Sequence, residues 1–293
     1  MTSNPTVAVL LAAFNGIKWI EEQIESILNQ KDVNLDIYIS IDLSNDGTYE
    51  WCEELAIKNS NVNILPYGNH FGGAAKNFYR LIKEVDISKY DYISLADQDD
   101  IWLSDKISRA IKIIKARKLD GYSSNVVALW EDGRKQFIKK SYPQKKFDYY
   151  FESAGPGCTF LLKQQSLKKF KEFLIENWTL VNKVSLHDWM IYAFFRELSM
   201  VWHIDDIPSL YYRQHSNNQI GANFNWKSYQ NRFQKIKNKW YRNEVQKIIN
   251  LLKPYSKNKM CLDFFFLIIN FNKLRRRHRD RIILFFMNLI RIF

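Results

Sequence analysis

One run of consecutive apolar residues and two largely apolar segments, each stopping abruptly at a polar cluster, constrain this chain more than any other feature. Val7–Ala13 stops at Asn15-Gly16, Leu35–Ile41 at the cluster Asp42–Thr48, and Tyr92–Ala96 at Asp97-Gln98-Asp99-Asp100. Val7–Ala13, short and uniformly apolar, predicts a strand buried on both faces, and the other two segments read as further strands of the same kind of sheet. Helical periodicity fills the gaps. Ile17, Ile20, Ile24, Ile27 and Leu28 mark one helix through Gln30, and Thr48–Lys58 reads as a second. Gly72-Gly73 opens a third through about Val85, and Leu103–Ala116 reads as a fourth. Val62–Leu65 adds a short strand. Strand–helix alternation over residues 7–116 predicts an α/β unit with a mostly parallel sheet. Such sheets bind ligands beyond the carboxyl ends of their strands. The three polar clusters are therefore expected to meet on one edge.

Beyond residue 116 the pattern is mixed. Val126–Trp130, Thr159–Leu162, Val201–His203 and Ser209–Arg213 read as extended; Gln165–Glu176 and Asp188–Leu198 read as helical. After Gly221 the composition shifts to Lys, Asn and Phe, which places a boundary between a domain over 1–221 and a helical, basic-aromatic extension over 222–293. Charge divides at the same point: residues 222–293 hold 17 Lys/Arg and 3 Asp/Glu, net +14, whereas the first 221 carry a net −2. A chain of 293 residues that is 46% hydrophobic can bury a sizeable core, which excludes the disordered class. Cys52, Cys158 and Cys261 are too scattered for a disulfide framework or a CxxC metal knuckle and suit a reducing compartment. The N-terminus lacks the basic segment of a secretion signal and reads as a first core strand.

Asp97, Asp99 and Asp100 close a buried strand just before Ile101-Trp102. Carboxylate oxygens suit hard divalent cations such as Mg²⁺ and Mn²⁺. An ion held there can bridge a diphosphate and take up charge on a leaving group. Three aspartates ahead of a helix equally suit the positive end of its dipole, so spacing alone leaves both roles open.

The stretch from Ser94 through Asp97-Gln98-Asp99-Asp100-Ile101-Trp102 to Lys106 resembles the DxDD-x-W region of family 2 glycosyltransferases of the GT-A fold. It is most similar to the rhamnosyltransferase-like branch that builds bacterial O-antigen and capsule repeats. Further landmarks come in order: Val9–Gly16 as first strand and nucleotide loop, Asp42–Thr48 as the second loop, His187-Asp188-Trp189 as the catalytic-base motif, and Tyr212-Arg213-Gln214-His215 through Asn218, Ile220 and Gly221 as the terminal motif. The likeness covers residues 7–221. Ile41 and Leu43 depart from the usual Asp and Gly, and Phe14 replaces the Tyr of many members.

The resemblance implies a Rossmann-like α/β fold and inverting transfer of a sugar from a UDP- or dTDP-sugar to a saccharide hydroxyl. Ala12, Phe14 and Asn15 belong to the nucleotide loop, with Phe14 as a stacking face for the base or simply core. Asp42 would accept the N3–H of uracil or thymine; its alternative is a helix-capping partnership with Ser44 or Asp46. Asp99 would touch a Mn²⁺ or Mg²⁺ ion directly, while Asp97 would reach it through water or hold the ribose or sugar. Asp100 would orient sugar hydroxyls or brace a ligand from behind, and Gln98 lies in the same donor-binding run. Lys76 could meet phosphate or sugar, or be an ordinary surface lysine; Arg213 could supply charge to phosphate. His215 is a further candidate metal ligand or a structural histidine. Asp188 is the candidate general base, taking the proton of the attacking hydroxyl, although an aspartate at that point also suits a helix N-cap. His187, Trp189, Gly157 and Cys158 fall on the acceptor side, the last two in a loop, Gly155–Thr159, that could equally be a plain turn.

In the tail, Arg275-Arg276-Arg277-His278-Arg279 separates Phe264–Ile269 from Ile282–Ile290, each shorter than the ~20 residues a spanning helix needs. Basic residues beside Phe, Leu and Ile suit helices lying in a membrane interface; packing onto the domain or a second subunit is the alternative. The expected partners are a nucleotide-sugar donor, a saccharide acceptor linked to polyprenyl diphosphate, the inner leaflet of the membrane and a further copy of the chain, with no nucleic acid. The expected location is cytoplasmic, against the inner face of the cell membrane. Two other functions compete: a nucleotidyltransferase acting on sugar phosphates, for which the Gly-rich basic first loop is missing, and a non-catalytic polyanion- or membrane-binding module, which leaves the clustered polar loops without a role.

Overall fold

Strand β1 (Thr6–Ala13) occupies the centre of the sheet because none of its side chains from Val7 onward needs water. Its residues alternate between two cores: Ala8, Leu10 and Ala12 enter one, and Val7, Val9, Leu11 and Ala13 the other. In the computed structural model, which describes residues 4–215, 239–256 and 260–293, β1 pairs in parallel with β2 (Asn34–Ile41) on one side and β4 (Tyr92–Asp97) on the other. The outer strand β3 (Val62–Ile64) runs parallel to β2. Past β4 the sheet turns antiparallel through β9 (Leu161–Lys163), then continues to β6 (Gly121–Ser124) and β10 (Trp202–Asp205). The seven strands stand in the order β10-β6-β9-β4-β1-β2-β3. A second sheet of four strands, β5 (Ile101–Trp102), β11 (Leu210–Gln214), β7 (Val126–Trp130) and β8 (Lys135–Ile138), stands in that order.

The helices are α1 (Ile20–Leu28), α2 (Thr48–Lys58), α3 (Ala74–Glu84), α4 (Lys106–Arg117), α5 (Gln164–Glu176), α6 (Trp178–Val181) and α7 (His187–Glu197). The first helix starts at Ile20 rather than Ile17, because Trp19 and Ile20 both donate to Gly16 O in a preceding turn. Thr159 belongs not to a strand but to a 3-10 turn over Gly157–Thr159. Strands β5, β6 and β8 escape sequence reasoning: they are two to four residues long, and β6 and β8 are built from Gly-Tyr-Ser-Ser and Lys-Gln-Phe-Ile. Such segments become strands through their partners, not through their own propensity.

The C-terminal part is helical: α8 (Trp240–Leu252), α9 (Phe264–Asn270) and α10 (His278–Leu289). Val245, Ile248 and Leu252 of α8, Leu267 of α9, Leu284 of α10 and the terminal Phe293 join the same core as Leu10 and Phe78. Each fully buried aliphatic side chain contributes about 1.5–3 kcal/mol, so this part helps to hold the domain together. Asn218, Ile220 and Gly221, and with them the expected boundary at 221, lie outside the described residues.

This packing generates a prediction. Leu252 is fully buried, so Leu252→Ala should cost about 2–4 kcal/mol in urea denaturation. A loss below about 0.5 kcal/mol, the range of an exposed substitution, would show that α8 does not share the domain core.

Candidate active site

The parallel register of β1 with its neighbours puts Ala12 opposite both Ser40 and Asp97. The loops leaving the three strands therefore start side by side, and their polar residues knit together. Asn15 N donates to Ser44 Oγ at 3.0 Å and Asn45 N to Asn15 Oδ1 at 3.0 Å. Gly16 N donates to Thr48 Oγ1 and Ile17 N to Asp46 Oδ2. Gln98 reads the backbone of Phe14 like an added strand: Phe14 N donates to its Oε1 at 2.6 Å and its Nε2 donates to Phe14 O at 2.9 Å. A side chain at Gly16 would collide with that carboxamide. The three clusters expected to converge do so, around a cleft of 940 Å³.

At the nucleotide end, Ala12, Phe14, Asn15 and Asp42 all line the cleft. Phe14 is 47% exposed, which rules out a core role and leaves its ring open to a flat ligand. Asp42 is buried, with Oδ1 accepting from Leu43 N and Phe71 N, both at 2.8 Å, and Oδ2 from Gly72 N at 3.0 Å. It orders the 70–72 segment and, with about four acceptor positions on a carboxylate, keeps capacity on Oδ2 for one more donor. Gly72 makes this possible at φ +75°, a left-handed conformation that other residues adopt at a cost.

The acidic run forms the floor. Asp97, Gln98 and Asp99 line the cleft, whereas Asp100 lies fully buried behind them and accepts from Arg213 N at 3.2 Å. Asp99 Oδ2 and His215 Nε2 are 2.7 Å apart, and the His215 ring stacks on Trp19 at 4.0 Å. Burial, then the charges of Asp99 and Asp188, push Asp97 up to about 7. Burial first, with Asp99 and Asp97 adding to it, raises Asp100 well above the usual carboxylate range. So much converging negative charge favours a cation, and carboxylate oxygens with one imidazole suit a hard divalent ion. Asp97, Asp100 and Cys158 also group within 4.8 Å. However, burial and both carboxylates hold the Cys158 thiol well above its ordinary value, so it stays protonated and shares a hydrogen bond with Asp100 instead of serving as a thiolate ligand.

Helix α7 builds the opposite wall. Its first residues, His187 and Asp188, line the cleft. Asp188 is not the N-cap; that position is Leu186, and Asp188 Oδ1 accepts from Trp189 N at 2.7 Å. Burial pushes Asp188 up to about 6, opposed by the Trp189 amide, Ser153 and the charge of Lys140. His187 stacks on Phe78 at 3.9 Å, and burial takes it down to about 3, so it is neutral. Its Nε2 has no hydrogen-bond partner among the described residues. Gly157 faces that nitrogen so closely that any side chain would strike it, which accounts for the glycine.

Several sequence candidates stand back from the cleft. Lys76 is exposed and outside its lining. Trp189 is buried, donates Nε1 to Tyr149 O at 2.9 Å and stacks on Tyr241, so it anchors α7 and cannot face an acceptor. Cys158 and Arg213 brace the floor from behind; Arg213 Nε donates to Asp99 O at 2.9 Å while its Nη2 pairs with Glu22. Sequence reasoning also missed residues. Lys106 is buried under Asp100, with Nζ 3.3 Å from Ser94 Oγ and 3.6 Å from the Trp102 ring centroid; burial lowers it to about 7. A lysine in the first turn of a helix opposes the dipole, and that oddity was the available signal. Trp19, Ser153 and Lys140 carried none.

Residues 8–171 match the model of the family Glycosyl transferase family 2. The chain belongs to this family. Over 289 residues this glycosyltransferase is 47% identical to the dTDP-rhamnosyl transferase RfbG of Shigella flexneri, spanning 97% of the chain and 100% of that protein. It is 34% identical over 113 residues to the UDP-Glc:alpha-D-GlcNAc-diphosphoundecaprenol beta-1,3-glucosyltransferase WfaP of Escherichia coli, or 39% of the chain and 43% of that protein. Its fold is similar to S. aureus TarS 1-349 in complex with UDP-GlcNAc, with a TM-score of 0.56 and 14% identity over 95% of the chain and 81% of TarS. It is a GT-A glycosyltransferase that uses a nucleotide-sugar donor.

The position of Asp188 makes a pH prediction. Its folded pKa, about 6, lies above the value of about 3.9 for an unfolded aspartate. The folded state therefore binds the extra proton, so its contribution to stability is full below pH ~4 and is lost as pH rises through ~6. Asp188→Asn removes that loss. Relative to wild type, its urea stability should rise by about 1–2 kcal/mol between pH 4.5 and pH 7.5. A difference independent of pH would show that Asp188 is solvated.

Proposed function

We propose that this enzyme transfers a 6-deoxyhexose, rhamnose in the first instance, from a dTDP-linked donor to a hydroxyl of a lipid-linked saccharide, with inversion and with a divalent metal. The observation that carries the reading is the cleft floor of Asp97 and the Asp99–His215 pair, with Asp188 on the facing wall near enough for its charge to raise Asp97. The donor sugar rests on the 47% identity to a dTDP-rhamnosyl transferase along the whole chain. Surface polysaccharide synthesis, of O-antigen or capsule, is the setting proposed.

In this reading the base stacks on Phe14 and its imide N3–H donates to Asp42 Oδ2. Asp99, His215 and Asp97 would hold Mn²⁺ or Mg²⁺, which when bound supplies positive charge to the donor diphosphate. Asp97 and Asp99 present oxygen atoms to the donor side of the cleft, while Gln98 holds the Phe14 backbone beneath the base. Asp188 accepts the proton of the acceptor hydroxyl as that oxygen attacks the anomeric carbon. The bond from the anomeric carbon to the diphosphate oxygen breaks, and the nucleoside diphosphate leaves with the electron pair. Attack opposite the leaving group inverts the centre. Base catalysis of this kind is worth about 10²–10⁴-fold. A carboxylate with a pKa near 6 is largely ionised at neutral pH yet basic enough to serve. His187, neutral and stacked on Phe78, shapes the wall beside Asp188.

Among the described residues no helix is long and apolar enough to cross a membrane. We place the enzyme on the inner face of the cell membrane through α9 and α10. Phe265 (71% exposed), Ile269 (76%), Ile282, Ile283, Phe286, Leu289 and Ile290 present apolar surface there, with Lys273, Arg279 and Arg291 exposed around it. That combination suits an anionic interface.

Two outcomes test the chemistry. Asp188→Asn should keep its thermal shift with dTDP and Mn²⁺ while transfer from dTDP-rhamnose falls about 10²–10⁴-fold; normal turnover would remove Asp188 from the base role. Asp99→Asn should lose the Mn²⁺-dependent part of the dTDP thermal shift. A shift that is the same with and without Mn²⁺ in wild type would refute metal dependence.

A further inference from the structure

The half of the cleft beside Asp188 is unexpectedly basic. Lys139, Lys140, Arg275, Arg276 and Arg277 all line it, the first two from the segment after β8 and the others from just before α10. Asn125 Oδ1 fixes the first segment by accepting from Lys140 N and Ser141 N. Arg276 ties the second to residues 152–153, just ahead of the Gly155–Thr159 loop: its backbone N donates to Glu152 Oε1 and its Nη2 to Ser153 O, both at 2.5 Å. A Cβ placed on Gly155 would lie 3.6 Å from Lys140 Cγ, so Lys140 runs alongside the start of that loop. Both segments therefore sit on the Asp188 side of the cleft.

Acidic partners do not match these cations. Arg275 is occupied by Tyr241, Glu152 and Asp280. Arg276 meets Asp148 and Glu152, but its buried Nε has no hydrogen-bond partner among the described residues. Among the described residues Lys139, Lys140 and Arg277 form no ion pair. Burial first, then the nearby Arg276 charge, lowers Lys140, opposed by the charges of Asp188 and Glu152. Concentrated positive charge in a low-dielectric cleft lowers the free energy of a bound polyanion. Arg277 also occupies the N-cap of α10, where backbone N–H groups and the dipole add to the attraction for phosphate.

We propose that Lys139, Lys140 and Arg277 form a diphosphate-binding subsite on the acceptor side of the cleft, distinct from the donor diphosphate position, with Arg276 holding the segment in place through Asp148, Glu152 and Ser153. The inference rests on the transferase reading and deepens it: the acceptor is recognised by its diphosphate as well as its sugar. The apolar face of α10, Ile282, Phe286 and Leu289, starts one turn past Arg277, so a hydrocarbon tail joined to that diphosphate has a surface to run along outward. The same subsite chemistry would accept free pyrophosphate, and the two sources are separable by experiment.

The test titrates dodecyl diphosphate and inorganic pyrophosphate into full-length enzyme saturated with dTDP and Mg²⁺, using calorimetry. Wild type is compared with Lys139→Ala/Arg277→Ala, two exposed positions whose loss should spare folding, and with Lys140→Ala. Dodecyl diphosphate should bind wild type and weaken at least tenfold in both variants, with dTDP affinity unchanged. Pyrophosphate binding as tightly as the dodecyl compound assigns the subsite to a free diphosphate; tighter dodecyl binding assigns it to a lipid-linked one. Equal binding by wild type and variants, or mutual exclusion with dTDP, overturns the subsite. Failure of wild type to bind dTDP would instead remove the donor reading, and the same titration without dTDP would still decide the subsite by its dependence on the three basic residues.

Discussion

Parallel pairing of β1 with β2 and β4 is the constraint on which the rest of the molecule depends. Because Ala12 lies level with Ser40 and Asp97, three chain segments must leave the sheet at one point, with their terminal amides and carboxylates within reach of one another. Asn15, Ser44, Asp46, Thr48 and Gln98 meet those demands by hydrogen-bonding across segments instead of to water. The result is a rigid rim, and a rim that is rigid can hold carboxylates together against their mutual repulsion. Burial first, and then the charge of the neighbouring carboxylates, pushes Asp97 and Asp100 above ordinary carboxylate values.

Charge in the cleft is arranged by ends. The floor at Asp97 and Asp99 is acidic, the wall around Lys140 and Arg276 is basic, and Asp188 stands between them. Beneath the floor, Lys106 and Arg213 offset the buried Asp100 and the carbonyl of Asp99. The C-terminal helices supply both the core contacts of Leu252 and Leu284 and the basic wall residues 275–277. Core packing and part of the cleft lining are therefore carried by the same part of the chain, and removing it would damage both.

Much of this was legible in the sequence because it depends on local pattern. Short, largely apolar segments specify the strands of a buried parallel sheet, and residues just past the end of such a strand must lie at the sheet edge; Asp42, Asp97, Asp99 and Asn15 could be placed by that logic alone. His215 reached Asp99 only through the family resemblance, since 116 residues separate them. Orientation was less legible. Trp189 is next to Asp188 in sequence but points into the core, since successive helical residues project about 100° apart. Lys76 fails similarly, facing solvent from a helix whose Asn77 and Phe78 face inward. The basic wall was unreadable because residues 139–140 and 275–277 meet only through tertiary packing. The sequence suggested a membrane role for that arginine run; three of its members line the cleft.

A direct measurement of the acidic floor is the electron–nuclear double resonance spectrum of Mn²⁺ bound to the full-length enzyme with dTDP. Phosphorus couplings from the diphosphate together with one imidazole nitrogen coupling, both lost in Asp99→Asn, are the expected result. Mn²⁺ that binds without phosphorus coupling, or a spectrum unchanged by Asp99→Asn, would contradict the claim that the rim formed after β1, β2 and β4 receives the pyrophosphate of an activated sugar.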